Sequence, residues 1–196
     1  CYFHSLYIRH KPLLPLLWDP LDCSFYFYQK EKVMSHLNTI HNKIHNLKDI
    51  KIQIERWKQA GNEVVFTNGC FDIIHKGHIE VLARSADLGD KLIIGLNSDK
   101  SIQKLKGKNR PIIDEQSRAI LLAALSFVDA IILFSEATPL KLISTLLPDV
   151  LVKGGDYEIE TIVGYEIVQQ NGGKVKLVPF LDGFSSTNII NKIKKY

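Results

Sequence analysis

Glu63-Val64-Val65-Phe66-Thr67 runs directly into Asn68-Gly69-Cys70-Phe71-Asp72-Ile73-Ile74-His75-Lys76-Gly77-His78. The first five residues form a short, nearly continuous apolar segment, the pattern of a strand buried on both faces of a parallel sheet. Asn68 and Gly69 end it. Ile79, Leu82, Ala83 and Ala86 then recur at helical spacing, and Gly89 follows. The stretch reads as strand, glycine-containing turn, helix. His75 and His78, three residues apart, share a face of the first helical turn.

The same alternation continues outward in both directions. Upstream, Asp49 precedes Ile50, Ile54 and Trp57 at helical spacing, and Gly61 closes a helix expected over Leu47–Ala60. Downstream, strands are expected at Lys91–Leu96, Val128–Phe134, Asp149–Val152 and Lys174–Pro179. Helices are expected at Glu115–Leu125, from Pro139 to Leu146, at Ile162–Gln170 and at Ser186–Lys195. Strands separated by helices at this spacing predict an α/β fold. It is a Rossmann-like, doubly wound sheet of about five parallel strands with helices on both faces. Such sheets bind ligands beyond the carboxyl ends of their strands, at the switch point of the topology.

Composition narrows the class. Hydrophobic residues make up 45% of the 196 residues and charged residues 23%, which excludes fibrous and wholly disordered chains. No run approaches the ~18 consecutive apolar residues of a spanning helix, so no membrane partner is expected. The net charge of +4 is spread along the chain without an arginine-rich arm. That argues against nucleic acid as a partner and suits phosphorylated small molecules. Cys1, Cys23 and Cys70 lack metal-type spacing, so a reducing, cytoplasmic location is expected.

The segment before Met34 differs from the rest. It holds eight of the eighteen aromatics, three prolines, two cysteines and no initiator Met, and shows no periodicity. Residues 1–33 are expected to be a disordered or non-native upstream extension, whose removal leaves folding and activity intact. Residues 34–61 are read as a lead-in with one helix, and 62–196 as the main domain.

A helix start presents unpaired N–H groups and partial positive charge. With Gly77 opening room at the backbone, the Asn68–His78 stretch suits an anion. The residues alone leave three readings open: a phosphate site, a zinc pair without a third ligand at useful spacing, or ordinary surface histidines.

Gly69-Cys70-Phe71-Asp72 followed by His75-Lys76-Gly77-His78 resembles the G-x-F-D-x-x-H-x-G-H motif of cytidylyltransferase-like nucleotidyltransferases. Ser185-Ser186-Thr187 stands where that superfamily carries its late S-S/T-T element. Asn97-Ser98-Asp99, Leu105-Lys106-Gly107, Arg110-Pro111-Ile112, Thr138-Pro139 and Pro148–Tyr157 (PDVLVKGGDY) resemble the D-glycero-β-D-manno-heptose 1-phosphate adenylyltransferases, from about Lys43 to the end. Two positions depart from the pattern. Ile190 stands where the superfamily often has arginine, with Lys192 the nearest cation, and Ser186 stands where threonine is common.

The resemblance implies transfer of AMP from ATP to heptose 1-phosphate, giving ADP-heptose and pyrophosphate for lipopolysaccharide or another heptose-containing glycan. It implies catalytic roles for His75, His78 and Lys106. Nucleotide contacts fall to Asn68, Gly69, Cys70, Phe71, Gly77, Asn97, Asp99, Lys153, Ser185, Ser186 and Thr187. Sugar-phosphate contacts fall to Arg110, Gly154, Gly155 and Asp156. Mg²⁺ enters as the cofactor, held mainly by substrate phosphates and water. Lys104, Lys106, Lys108 and Arg110 are read as a basic loop after the second strand. Asp72 either fixes its turn through backbone N–H groups or touches metal. Ser186 and Thr187 are expected to cap the last helix. Expected partners are ATP, a sugar 1-phosphate and a separate heptose kinase, with a homodimer open. A glycerol-3-phosphate cytidylyltransferase and a non-catalytic nucleotide-binding module are the competing functions.

Overall fold

A computed structural model of the chain describes residues 35–181 and 183–195. The expectation for residues 1–33 lies outside them. The described chain runs α1 (His36–His41), β1 (Ile44–His45), α2 (Leu47–Gln59), β2 (Val64–Gly69), α3 (Lys76–Ala86), β3 (Lys91–Asn97) and α4 (Asp99–Lys106). It continues through α5 (Glu115–Ala123), β4 (Ala130–Phe134), α6 (Leu140–Leu146), β5 (Val150–Gly154), a 3-10 turn (Ile159–Thr161), α7 (Tyr165–Gln170), β6 (Lys174–Val178) and α8 (Ser186–Ile193).

The six strands form one sheet in the order β1-β4-β3-β2-β5-β6, every pair parallel. Alternate residues of each strand enter opposite cores. Val64, Phe66 and Ile93 pack with Ile50 and Ile54 of α2, Ile143 of α6 and Val168 of α7. Val65, Leu92 and Ile94 pack with Leu82 of α3 and Leu122 of α5. Burial on both faces is why the strands read as unbroken apolar runs. β3 and β4 lie to one side of β2, and β5 and β6 to the other. The switch point is therefore between β2 and β5, and their carboxyl ends open a crevice there.

Several local expectations change. The five expected strands are joined by a sixth, β1, which borrows its register from Ile131 and Ile132 of β4. The segment around Lys104 and Lys106 is the last turn of α4, capped by Ser98 through the Ser101 N–H at 3.2 Å, and only Lys108 and Arg110 lie in the loop beyond. The last helix is capped by Ser185, which accepts from the Asn188 N–H at 3.0 Å, so Ser186 and Thr187 are inside the helix. β2 extends through Asn68 and Gly69 because both still pair with β3. Residues 36–59 belong to the same packing, with Ile50 wholly buried.

Candidate functional site

A cavity of about 880 Å³ opens at the carboxyl ends of β2 and β5. Its floor is Asn68 and Gly69 of β2, Asn97 of β3, and Lys153 and Gly154 of β5. Its walls include Cys70, Phe71, the start of α3, the end of α4 at Lys106, and the start of α8 at Ser185, Ser186 and Thr187.

His75 is the N-cap of α3, without a side-chain capping bond, and His78 is in the first turn. Their rings stack, with centroids 3.7 Å apart and planes at 22°. Phe71 packs edge-on against His78 at 5.3 Å. The Nδ1 atoms of both histidines are buried without a partner. Burial, the neighbouring His75 and the Lys106 ammonium push His78 down to about 4, against the pull of a hydrogen bond to the Ile73 backbone. Burial lowers His75 as well. Both rings are therefore neutral at pH 7, and a polyanion beside them would reverse that balance. Lys153, also lowered by burial, reaches toward the Asn68 amide oxygen at 3.5 Å.

Asp72 is tied down on every side. It accepts from Arg110 Nε at 2.6 Å and from the Ile112 and Ile113 N–H groups at 2.7 and 3.0 Å. Burial alone would raise its pKa, but the Ile113 N–H, the Arg110 guanidinium and the Ile112 N–H bring it below the usual carboxylate value. It clamps a loop some forty residues away, not its own turn. No group of three or more His, Cys, Asp or Glu among the described residues could hold a metal ion. With Asp72 committed elsewhere, the residues present fit a Mg²⁺ carried on substrate phosphates and not one in a protein cage.

Four expected site residues stand apart from the cavity. Arg110 spends its Nε on Asp72. Asp99 is bonded to Arg118 Nη2 at 2.7 Å. Gly155, with φ +117°, donates its N–H to the Val178 carbonyl, and Asp156 is exposed beside it. The other expected residues, His75, His78, Lys106, Asn68, Gly69, Cys70, Phe71, Gly77, Asn97, Lys153, Gly154, Ser185, Ser186 and Thr187, all line it. Ser186 Oγ also donates to the Ile73 carbonyl at 3.2 Å, tying α8 to the histidine loop.

Sequence reasoning passed over the aromatic wall. Tyr157, Phe180 and Phe184 line the cavity yet stay half exposed. A Cβ on Gly154 would meet the Phe180 ring at 2.8 Å, so that glycine is what lets the ring lie on the backbone. Placement just after β5 and β6, where this fold collects ligand contacts, was the available signal. Arg118, wholly buried on α5, was also passed over.

The cytidylyltransferase-like family model matches residues 66–192. The chain is 53% identical over 152 residues to the bifunctional protein HldE of Citrifermentans bemidjiense, covering 78% of this chain and 31% of that protein. It is 54% identical over 151 residues to HldE of Geobacter metallireducens, covering 77% and 31%. The chain thus spans about a third of the length of these curated relatives. Among solved structures, a lipopolysaccharide core biosynthesis protein from Thermoplasma volcanium matches at 35% identity and TM-score 0.50, over 62% of this chain and 98% of that one. Pantoate-beta-alanine ligase from Francisella tularensis matches at 17% identity and TM-score 0.52 over 78% of each, a likeness of fold alone. With its histidine loop, switch-point cavity and late serine-threonine helix inside the matched span, the chain belongs to the cytidylyltransferase-like family.

Proposed function

We propose that this chain transfers AMP from ATP to D-glycero-β-D-manno-heptose 1-phosphate, releasing pyrophosphate and forming ADP-heptose. The observation that carries the nucleotidyl transfer is the stacked, neutral pair His75 and His78, each with an unpartnered buried Nδ1, at the amino end of α3. The choice of heptose rests on the KGGDY string at Lys153–Tyr157 and on the HldE relatives.

The chemistry asks little of a general base. A phosphate monoester has its second pKa near ~6, so the attacking oxygen is already anionic at pH 7. The obstacle is bringing two anions together while charge grows on the leaving pyrophosphate. His75 and His78 hydrogen-bond the α-phosphate and the leaving group. Lys106 from the wall and Lys153 from the floor neutralise charge. The amino ends of α3 and α8 add N–H groups and helix dipoles. Mg²⁺ on the triphosphate supplies the remaining neutralisation. The aromatic wall at Tyr157 and Phe180 offers apolar faces to the acceptor side, which replaces Arg110 and Asp156 as the expected acceptor contacts. The catalytic unit takes in residues 36–59, which share its core, and works in the cytoplasm, where ATP and the sugar phosphate are made.

The test is pyrophosphate release with ATP, CTP and GTP against heptose 1-phosphate and glycerol 3-phosphate. ATP with heptose 1-phosphate should give the highest kcat/KM. CTP with glycerol 3-phosphate giving the highest would assign a cytidylyltransferase, and silence with every pair a binding module. Heptose 7-phosphate with ATP should yield no nucleotide sugar until a heptose kinase and the phosphatase that removes the 7-phosphate are added.

A further inference from the structure

Arg118 lies on α5 with no solvent exposure and does not itself line the cavity. Its Nη1 donates to the Cys70 carbonyl at 2.6 Å and the Asn97 carbonyl at 2.9 Å. Its Nε donates to the Ile113 carbonyl at 2.9 Å and its Nη2 to the Asp99 carboxylate at 2.7 Å. One guanidinium thus joins the loop after β2, the end of β3, the start of α4 and the loop held by Asp72. A buried ion pair needs only one acid, and the Asp99 contact fills that role. The carbonyls of Cys70 and Asn97, both cavity-lining residues, are additional.

Those carbonyls matter because the site is built for an anion. A backbone carbonyl turned toward a phosphate would repel it. The Cys70 carbonyl is turned the other way, into Arg118. In a trans peptide the C=O and N–H point in opposite directions. The N–H of the same peptide belongs to Phe71, and it donates to no acceptor among the described residues. Phe71 has φ +45°, the left-handed region that a residue with a side chain rarely enters. That angle fixes the plane of the Cys70–Phe71 peptide, and strain of this kind persists only where surroundings over-determine it. The surroundings here are the Arg118 bond on the carbonyl side and the buried Phe71 ring against His78.

We infer that Arg118 is a positioning residue that holds the Cys70–Phe71 peptide with its carbonyl toward the protein interior, so that the Phe71 N–H is presented to a substrate phosphate beside His75 and His78. The inference rests on the proposed function for the identity of that phosphate. The orientation of the peptide stands on the hydrogen bonds alone. Arg118→Lys keeps the charge and so the pairing with Asp99, but a single ammonium cannot reach four acceptors spread over four segments.

The experiment uses the full chain labelled with ¹⁵N, wild type beside Arg118→Lys, with MgATP as probe. The wild-type Phe71 amide resonance should shift on adding MgATP. In Arg118→Lys, with resonances remote from the cavity unchanged, that shift should vanish. Its kcat for pyrophosphate release should fall roughly 10²-fold, as for a misplaced transition-state contact, with KM for ATP moved less than about threefold. A merely structural arginine would change thermal stability without erasing one amide's response. Arg118→Lys that keeps the Phe71 shift, or keeps kcat within about threefold, overturns the inference. Should Arg118→Lys not fold, the wild-type resonance decides: a Phe71 amide indifferent to MgATP, while other cavity amides respond, overturns it equally. Absence of pyrophosphate release from the wild type with every substrate pair refutes the proposed reaction instead, and leaves the amide response to judge Arg118.

Discussion

Asp72→Asn isolates the clamp beneath the histidine loop. The carboxylate is 1% exposed and its partner Arg110 is 13% exposed. Its Oδ1 takes the Ile112 and Ile113 N–H groups and its Oδ2 takes Arg110 Nε. An asparagine has one oxygen. Placed at Oδ1 it keeps both backbone bonds and turns its NH₂ against the guanidinium, donor against donor. Flipped, it loses both backbone bonds. Either way Arg110, whose Nη2 already lacks a partner, becomes a largely buried charge without an acid. Breaking one side of a buried pair costs ~3–5 kcal/mol, and the residual exposure of Arg110 favours the lower end, ~3 kcal/mol. For a chain of this size that is a fall in Tm of roughly 6–12 °C. The assay is thermal unfolding followed by circular dichroism at pH 7, beside Arg110→Met and the double variant. The double variant should recover part of the loss, because it removes the orphaned charge. The pH dependence supplies a second check. A carboxyl depressed in the folded state stabilises fully above its unfolded pKa of ~3.9 and ceases to do so as pH falls through its folded value. Wild type and Asp72→Asn should therefore differ evenly from pH 5 to 8 and converge below about pH 4. A Tm within about 3 °C of wild type at pH 7, or strict additivity in the double variant, would refute the clamp.

His75→Ala and His78→Ala should each lower kcat by roughly 10²–10³ with little change in KM for ATP, the loss of one transition-state donor, read by pyrophosphate release. Gly77→Ala places a Cβ 3.2 Å from the His75 ring and 3.0 Å from Phe184 Cβ. Alanine favours the helix by up to ~1 kcal/mol, so Tm should hold or rise while kcat falls, a split that melting and turnover together reveal. Gly154→Ala meets only the far edge of the Phe180 ring at 2.8 Å and Val81 at 3.2 Å. The exposed ring swings aside, so stability should change by less than about 1 kcal/mol while KM for the sugar phosphate rises and KM for ATP does not.

The decisive stretch was legible because its signals are local. Val64–Phe66 is apolar on both faces of the sheet, and the histidines follow within one turn of α3. α4 was not legible, because Ile102 is its only wholly buried apolar side chain and its cations look like a loop. β1 has two residues, too few for any periodicity. The partners of Asp72, Asp99 and Arg110 were not legible for a shared reason: they lie 19 to 41 residues away in sequence. Arg118 sits among Ala119, Leu122 and Ala123 on a helix, where an arginine reads as a solvated side chain. Only the folded chain assembles its four acceptors.

Charge explains why these parts belong to one site. Among the described residues, Asp72 is the one carboxylate lining the cavity, and its charge is already matched by Arg110 and two N–H groups. Lys106 and Lys153 line it as cations, and α3 and α8 both begin on it. The cavity thus has unspent positive potential, which at His78 adds to the burial that keeps both stacked histidines neutral. A bound triphosphate cancels it and gives each imidazolium an acceptor, so His78 must rise from about 4 on binding. Nucleotide binding should therefore take up protons near pH 6, measurable by titration calorimetry in buffers of different ionisation enthalpy. The free protein carries the complementary sign. Its folded His78 binds a proton only near about 4, whereas the unfolded chain binds one near ~6.5. Stability should fall as pH drops between those values, and saturating MgATP should flatten the fall. Proton release on binding, or none, would mean that the phosphates do not lie against the histidine pair.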